Sequence, residues 1–318
     1  MELAYCCLLF VVGLVIIIFG GNWLVSSAVK ISDITGIPQA LIGATIVSLA
    51  TTLPELNVTI FSSIGNMSEL AIGNAVGSII FNLTFIVGIV LLFTKNKISK
   101  SSLGTNFYIM FFTIVALYIF GLFNIITKVV GMLLITVFLL FFVNNIIDAN
   151  RKEAVIETCK IVVPKEKVKS LWLVVLVFCI SSFLVSLGAK LLVQNGAQIA
   201  RLLSVSEHII GVTIIAMGTS LPEVVTAISS IRQKSTSIAI GNTIGANILS
   251  GTLLVGLSAI LEQNKLVMHD NIVHVALPMI LISSLILYIP IAMNKKIYKV
   301  QGITLLALFV IYYITVII

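Results

Sequence analysis

Charged residues are scarce in this sequence. Asp, Glu, Lys and Arg make up 10% of its 318 residues, where a soluble domain carries about a quarter. With 59% hydrophobic residues and a mean hydropathy of +1.19, the chain would expose large apolar patches in water and aggregate. A water-soluble globular fold is therefore excluded. The four cysteines, Cys6, Cys7, Cys159 and Cys179, have no CxxC or CxxH spacing, so thiolate-metal and redox chemistry have no support and free, packed thiols are expected. No GxxxxGK[ST] loop occurs, so energy must come from an ion gradient and not from ATP. There is no basic stripe with interleaved aromatics, and the net charge of +7 does not point to nucleic acid. His208, His269 and His274 lack metal-ligand spacing, and no nucleophile–base pair stands out. No enzyme is expected.

What the chain does have is long apolar runs. A stretch of about 20 such residues crosses the bilayer core, and reading on that basis gives ten spans: 3–29, 38–64, 70–93, 105–123, 127–147, 171–200, 207–231, 237–262, 271–292 and 300–318. Met1-Glu2-Leu3 lacks a basic n-region and no small-residue cleavage site follows, so the first run reads as a span and not as a signal peptide. Trp23 and Trp172 read as interfacial or packing residues. The gaps after alternate spans hold 15 of the 19 Lys and Arg. By the positive-inside rule, both termini then face outward in a cell membrane and the polar stretch 148–170 faces the cytoplasm. That stretch reads as a linker loop between residues 1–147 and 171–318, too short for a separate regulatory domain.

An internal repeat relates the two parts. GATIVSLATTLPE at 43–55 matches GVTIIAMGTSLPE at 211–223 in seven of thirteen positions, and at the same offset of 168 IGNAVG at 72–77 matches IGNTIG at 240–245 in four of six. The repeat begins in span 2 and again in span 7, so each half has five spans, and an odd number turns the halves in opposite directions. The expected fold is all-α: ten transmembrane helices in two inverted five-helix repeats. Such repeats mark secondary transporters, whose ion sites lie at the midplane where the repeats meet.

Each repeat also carries Pro and Glu within an apolar span, Pro54-Glu55 and Pro222-Glu223. Proline removes a backbone donor and breaks the helix, so spans 2 and 7 are expected to be broken. A carboxylate near the bilayer centre is a functional candidate by default. Two of them, with the oxygens of Thr51, Thr52, Thr219 and Ser220, form an all-oxygen set suited to hard cations such as Ca²⁺ and Na⁺. Spans 3 and 8 add Asn74, Ser78 and Asn82, then Asn242, Asn247 and Ser250. Interhelical hydrogen bonding is expected for Asn74 and Asn242, and close helix packing for the glycines at 73, 77, 241 and 245.

GTSLPE at 218–223, ATTLPE at 50–55 and the paired GNxxG blocks resemble the calcium/cation antiporter superfamily, most of all its prokaryotic sodium/calcium exchangers. The resemblance spans essentially the whole chain. It implies a core of spans 2, 3, 7 and 8 around the ions, with long tilted spans 1 and 6 sliding across it. It also implies Glu55 and Glu223 as central carboxylates and Thr51, Thr52, Thr219 and Ser220 as oxygen donors. Ser48 and Ala216 would act through their carbonyls, and Ser78 and Asn82 as ligands on span 3. Span 8 departs from the pattern: Ser250 stands where relatives carry Asp, and Ala246 where a Ser is usual, which puts the number of bound Na⁺ in question.

The function expected is antiport, with the Na⁺ gradient driving Ca²⁺ out and the two ions competing for the Glu55/Glu223 site. The alternatives left open are H⁺/Ca²⁺ exchange, exchange of another cation, and a channel. The ions are cargo, no cofactor is expected, and the partners are the ions and the lipid bilayer with no obligate protein.

Overall fold

The computed structural model describes residues 2–93, 100–158, 165–205, 216–262, 266, 268–293 and 298–317. Among these the protein is all-helical. The first half comprises α1 (Glu2–Thr35), α2 (Gln39–Thr51), α3 (Leu53–Ile64), α4 (Ser68–Phe93), α5 (Lys100–Leu122) and α6 (Lys128–Thr158). The second comprises α7 (Lys165–Leu202), α8 (Ala216–Thr219), α9 (Leu221–Arg232), α10 (Thr236–Leu261), α11 (Ile272–Pro290) and α12 (Lys299–Ile317).

Eight of the described helices are long and apolar enough to cross a membrane, and the pair α2–α3, bent by 48°, is so when its two helices are taken together. The remaining expected span, 207–231, is described only from Ala216 onward; residues 206–215 lie outside the described residues. The stretch 148–170 differs from the loop expected of it. Helix α6 runs on to Thr158 and α7 begins at Lys165. Polar residues end a hydropathic run without ending a helix, and no Gly or Pro interrupts 148–158.

The breaks fall where the prolines require them. Thr52 (φ −82°, ψ 1°) separates α2 from α3, and Ser220 (φ −89°, ψ 8°) separates α8 from α9. Pro54 and Pro222 follow within the first two positions of the next helix, where a missing N–H does no harm because it would have no intrahelical acceptor. A second pair of irregularities obeys the same offset: π-helical turns at Asn82–Ile86 in α4 and Ser250–Leu254 in α10. In each, a threonine hydroxyl (Thr84, Thr252) donates to the carbonyl four residues back (Ile80, Ile248), a bond that competes with the regular helical ladder.

Helices α4 and α10 are the most enclosed spans, 72% and 78% buried against 17–39% for the other single-helix spans. They form the centre, and the lipid-facing helices present exposed apolar side chains such as Leu140, Phe183 and Val300. Trp23 and Trp172 are exposed as well, in keeping with an interfacial role.

Helices α1 and α7 pack along each other, and α1 also packs against α9, where Ser229 Oγ donates to Asn22 Oδ1 (2.7 Å). The 34 and 38 residues of α1 and α7 make rods of roughly 50 and 57 Å at about 1.5 Å per residue. The hydrocarbon core is only about 30 Å thick, so both must tilt or project beyond it. Their backbones touch where Gly13 crosses Gly188: a Cβ on Gly188 would lie 2.8 Å from the Ile17 nitrogen and 2.9 Å from the Gly13 carbonyl oxygen. Gly188→Leu should therefore force the pair apart and destabilise the protein by about 1–3 kcal/mol. Thermal unfolding in detergent should show a fall in melting temperature, and an unchanged value would contradict close packing at this crossing.

Candidate functional site

The two helix breaks bring the repeated motifs against each other inside the protein. Glu55 lies in the first turn of α3 and Glu223 in the first turn of α9, and each is 1% exposed. First-turn N–H groups have no intrahelical acceptors and carry the positive end of the helix dipole, which favours a carboxylate there.

Four of the hydrogen bonds between the halves form two pairs related by the offset of 168. Thr51 Oγ1 donates to Asn242 Oδ1 (3.2 Å), and its counterpart Thr219 Oγ1 donates to Asn74 Oδ1 (3.4 Å). Thr52 Oγ1 donates to Glu223 Oε1 (3.4 Å), and its counterpart Ser220 Oγ donates to Glu55 Oε1 (3.0 Å). Ser78 Oγ lies 3.3 Å from the same Ser220 hydroxyl. The asparagines continue the network. Asn74 Nδ2 donates to the Glu55 carbonyl (2.9 Å) and to Thr59 Oγ1 (3.0 Å). Asn242 Nδ2 donates to Thr226 Oγ1 (3.1 Å), which in turn donates to the Glu223 carbonyl (2.9 Å). Asn74 and Asn242 thus make the interhelical bonds expected of them.

Glu55 Oε2 and Glu223 Oε2 have no hydrogen-bond partner, and on α4 and α10 the same holds for the buried oxygens Asn82 Oδ1, Asn247 Oδ1 and Ser250 Oγ. An unsatisfied buried polar group costs about 1–3 kcal/mol, and such groups in a folded protein call for an explanation such as an ion. Two carboxylates with neutral oxygens beside them are a donor set for a hard cation.

Of the residues singled out in the sequence, Thr51, Thr52, Glu55, Ser78, Thr219, Ser220 and Glu223 are therefore connected directly or through Asn74 and Asn242. Asn82 and Ser250 open the two π-helical turns, a feature frequent at functional sites. Ser48 is buried, and its hydroxyl donates within its own helix to the carbonyls of Ala44 (2.9 Å) and Thr45 (3.0 Å). Ala216 opens α8. The packing expected of the glycines holds for Gly241 and Gly245, where a Cβ would overlap the carbonyls of Ala40 or Ala44 in α2; the segment that the repeat sets opposite Gly73 and Gly77 lies outside the described residues. Sequence reasoning missed Thr59 and Thr226. Their signal was spacing: they stand four and three residues beyond the glutamates, one turn along the same face.

Comparison with known proteins shows the family and the fold. The profile of the sodium/calcium exchanger protein family matches residues 6–147 and 173–318. The chain is 30% identical over 306 residues to an uncharacterized membrane protein of Methanocaldococcus jannaschii, covering 95% of each chain. It is also 30% identical over 341 residues to the sodium/calcium exchanger MaX1 of Methanosarcina acetivorans, covering 95% of this chain and 96% of that one. The fold is that of the sodium-calcium exchanger NCX_Mj soaked with Na⁺ and Sr²⁺, with a TM-score of 0.84 over 97% of this chain and 98% of that one at 24% identity.

The cross-half bonds give a stability test that leaves both carboxylates in place. Asn242→Leu removes the bonds to the hydroxyls of Thr51 and Thr226, and Asn74→Leu those to the hydroxyls of Thr219 and Thr59 and to the Glu55 carbonyl. Each should lose about 1–3 kcal/mol, read as a lower melting temperature in detergent. Wild-type melting in both variants would contradict the network.

Proposed function

The chain belongs to the sodium/calcium exchanger protein family, and from that premise we propose that it is a secondary antiporter whose Glu55/Glu223 pair binds Ca²⁺ and Na⁺ in alternation. It is a multi-pass membrane protein that moves ions in both directions across the bilayer, Na⁺ entering down its gradient and Ca²⁺ leaving. The observation that carries the reading is the pair of symmetry-related carboxylates, each 1% exposed and each with an oxygen that bonds nothing.

The coupling follows from electrostatics. Both ions need the same two carboxylates, so they exclude each other. An empty site left ionised would hold two like charges away from water, each with a heavy desolvation penalty that a bound cation offsets. A core that turns with the site empty exposes that penalty to the bilayer midplane, whereas a core loaded with Ca²⁺ or with Na⁺ does not. Alternation between sides thus requires a cargo ion on every passage, and this is what makes the process exchange instead of leak.

In this reading Glu55 and Glu223 are the central ligands. The hydroxyls of Thr51, Thr52, Ser78, Thr219 and Ser220 and the carbonyls of Ser48 and Ala216 surround them, with Asn82 and Ser250 supplying neutral oxygens. The long helices α1 and α7, packed along each other, would shift as a pair across the core. The halves, 1–147 and 171–318, are inverted copies joined through 148–170. The distribution of Lys and Arg supports termini on the outer side and that linker on the inner side. The chemistry is ion binding throughout and requires no cofactor and no bond-making step.

Proteoliposomes loaded with Na⁺ and diluted into Na⁺-free buffer test the reading through ⁴⁵Ca²⁺ uptake. Uptake should require internal Na⁺, should not be replaced by a pH gradient, and should fall to background in Glu55→Gln and in Glu223→Gln while both variants remain monodisperse in detergent. Uptake retained in both single variants would remove these residues from the ion site.

A further inference from the structure

The long helices α1 and α7 obey the same offset of 168 as the site. GGNWLVSSAVKI at 20–31 matches GAKLLVQNGAQI at 188–199 in four of twelve positions. Their contact obeys it too: Gly20 packs on Val185, and its counterpart Gly188 packs on Ile17, the counterpart of Val185. Their hold on the core does not. Helix α1 lies on α9, where a Cβ on Gly21 would overlap Val225. There Ser229 Oγ donates to Asn22 Oδ1 (2.7 Å) and Gln233 Nε2 to the Asn22 carbonyl (3.1 Å). The repeat sets α7 opposite α3 in the same way, yet these two helices pack far less closely. The counterpart of Asn22 is Lys190, that of Val225 is Asn57 and that of Ser229 is Phe61. All three are exposed, Phe61 to 72%. Polar groups inside apolar spans are costly in lipid and face water-filled space, so Lys190 and Asn57 mark a wet gap between α7 and α3.

We infer that Asn22 is a positioning residue that latches the inner route to the site shut, and that Lys190 latches the outer route by seating its ammonium on the Phe61 ring when the helix pair shifts. The inference rests on the antiport reading above. Helix α9 runs from the turn that holds Glu223 to Arg232, toward the side that Lys and Arg mark as inner, and α3 runs from the turn that holds Glu55 toward the other. With α1 on α9 the inner route is covered in this structure, while the matching face of α3 is bare. In an inverted repeat, alternating access exchanges the roles of the two halves. Helix α7 then lies on α3 as α1 now lies on α9, and the offset brings Lys190 to Phe61. An ammonium over an aromatic face is attracted to it. The two latches differ in chemistry, hydrogen bonds on one side and a cation on a ring on the other. Each can therefore be weakened without touching the other or the carboxylates.

Disulfide crosslinking in proteoliposomes tests this, using protein whose four cysteines are replaced by alanine. Gly21→Cys with Val225→Cys reports the inner latch, because a Cβ on Gly21 would lie 3.3 Å from the Val225 Cβ, near the spacing of about 3.8 Å in a disulfide. The counterpart pair, Ala189→Cys with Asn57→Cys, reports the outer latch. Both pairs should crosslink under Cu²⁺-phenanthroline with Na⁺ inside and Ca²⁺ outside, and each crosslink should stop ⁴⁵Ca²⁺ uptake until it is reduced. Ser229→Ala removes the hydrogen bond to Asn22 and should raise crosslinking of the outer pair relative to the inner pair by about fivefold. Phe61→Leu should lower the same ratio by about threefold, and Phe61→Tyr, which keeps an aromatic face, should leave it near the wild-type value. An outer pair that never crosslinks during Na⁺-driven uptake, or a ratio that Ser229→Ala or Phe61→Leu leaves unchanged, would overturn the inference and leave antiport standing. Wild-type protein without Na⁺-dependent uptake would overturn the antiport reading itself, and the latches with it.

Discussion

Everything in this protein is arranged around two carboxylates held out of water. Glu55 and Glu223 sit on opposite halves of an inverted repeat, each buried to 1% exposure and each with one oxygen bound to a hydroxyl of the other half. A carboxylate in such a place is expensive, and two close together repel. The helix breaks meet part of that demand by aiming first-turn amides at both groups. The cross-half hydroxyls meet another part. The remaining oxygens, Oε2 of both residues, have no protein partner, and a hard cation is the natural counterpart for them.

The same bonds that steady the carboxylates also hold the halves together. Thr51 with Asn242 and Thr219 with Asn74 tie the broken helices to the enclosed helices α4 and α10. Gly241 and Gly245 let α10 lie directly on the backbone of α2, so a broken helix and an enclosed one are held by packing as well as by hydrogen bonds.

Much of this was legible in the sequence because it is written twice. The LPE motif at 53–55 and 221–223 located both breaks and both carboxylates, and the offset of 168 carried over to the hydrogen bonds between them. Asn74 and Asn242 read correctly as ties between helices. The π-helical turns at Asn82 and Ser250 were not legible, since a one-residue bulge leaves no mark in composition or periodicity. The helical extension over 148–158 was missed because hydropathy reports where lipid ends and not where hydrogen bonding ends.

The central claim is that one site, built on Glu55 and Glu223, holds Ca²⁺ and Na⁺ in competition. Equilibrium binding of ⁴⁵Ca²⁺ to the purified protein in detergent, titrated with Na⁺, tests it most directly. The account predicts one Ca²⁺ per chain, displaced fully by Na⁺ and lost when both glutamates are replaced by glutamine. Ca²⁺ that stays bound in saturating Na⁺, or that binds the double variant as well as the wild type, would contradict it.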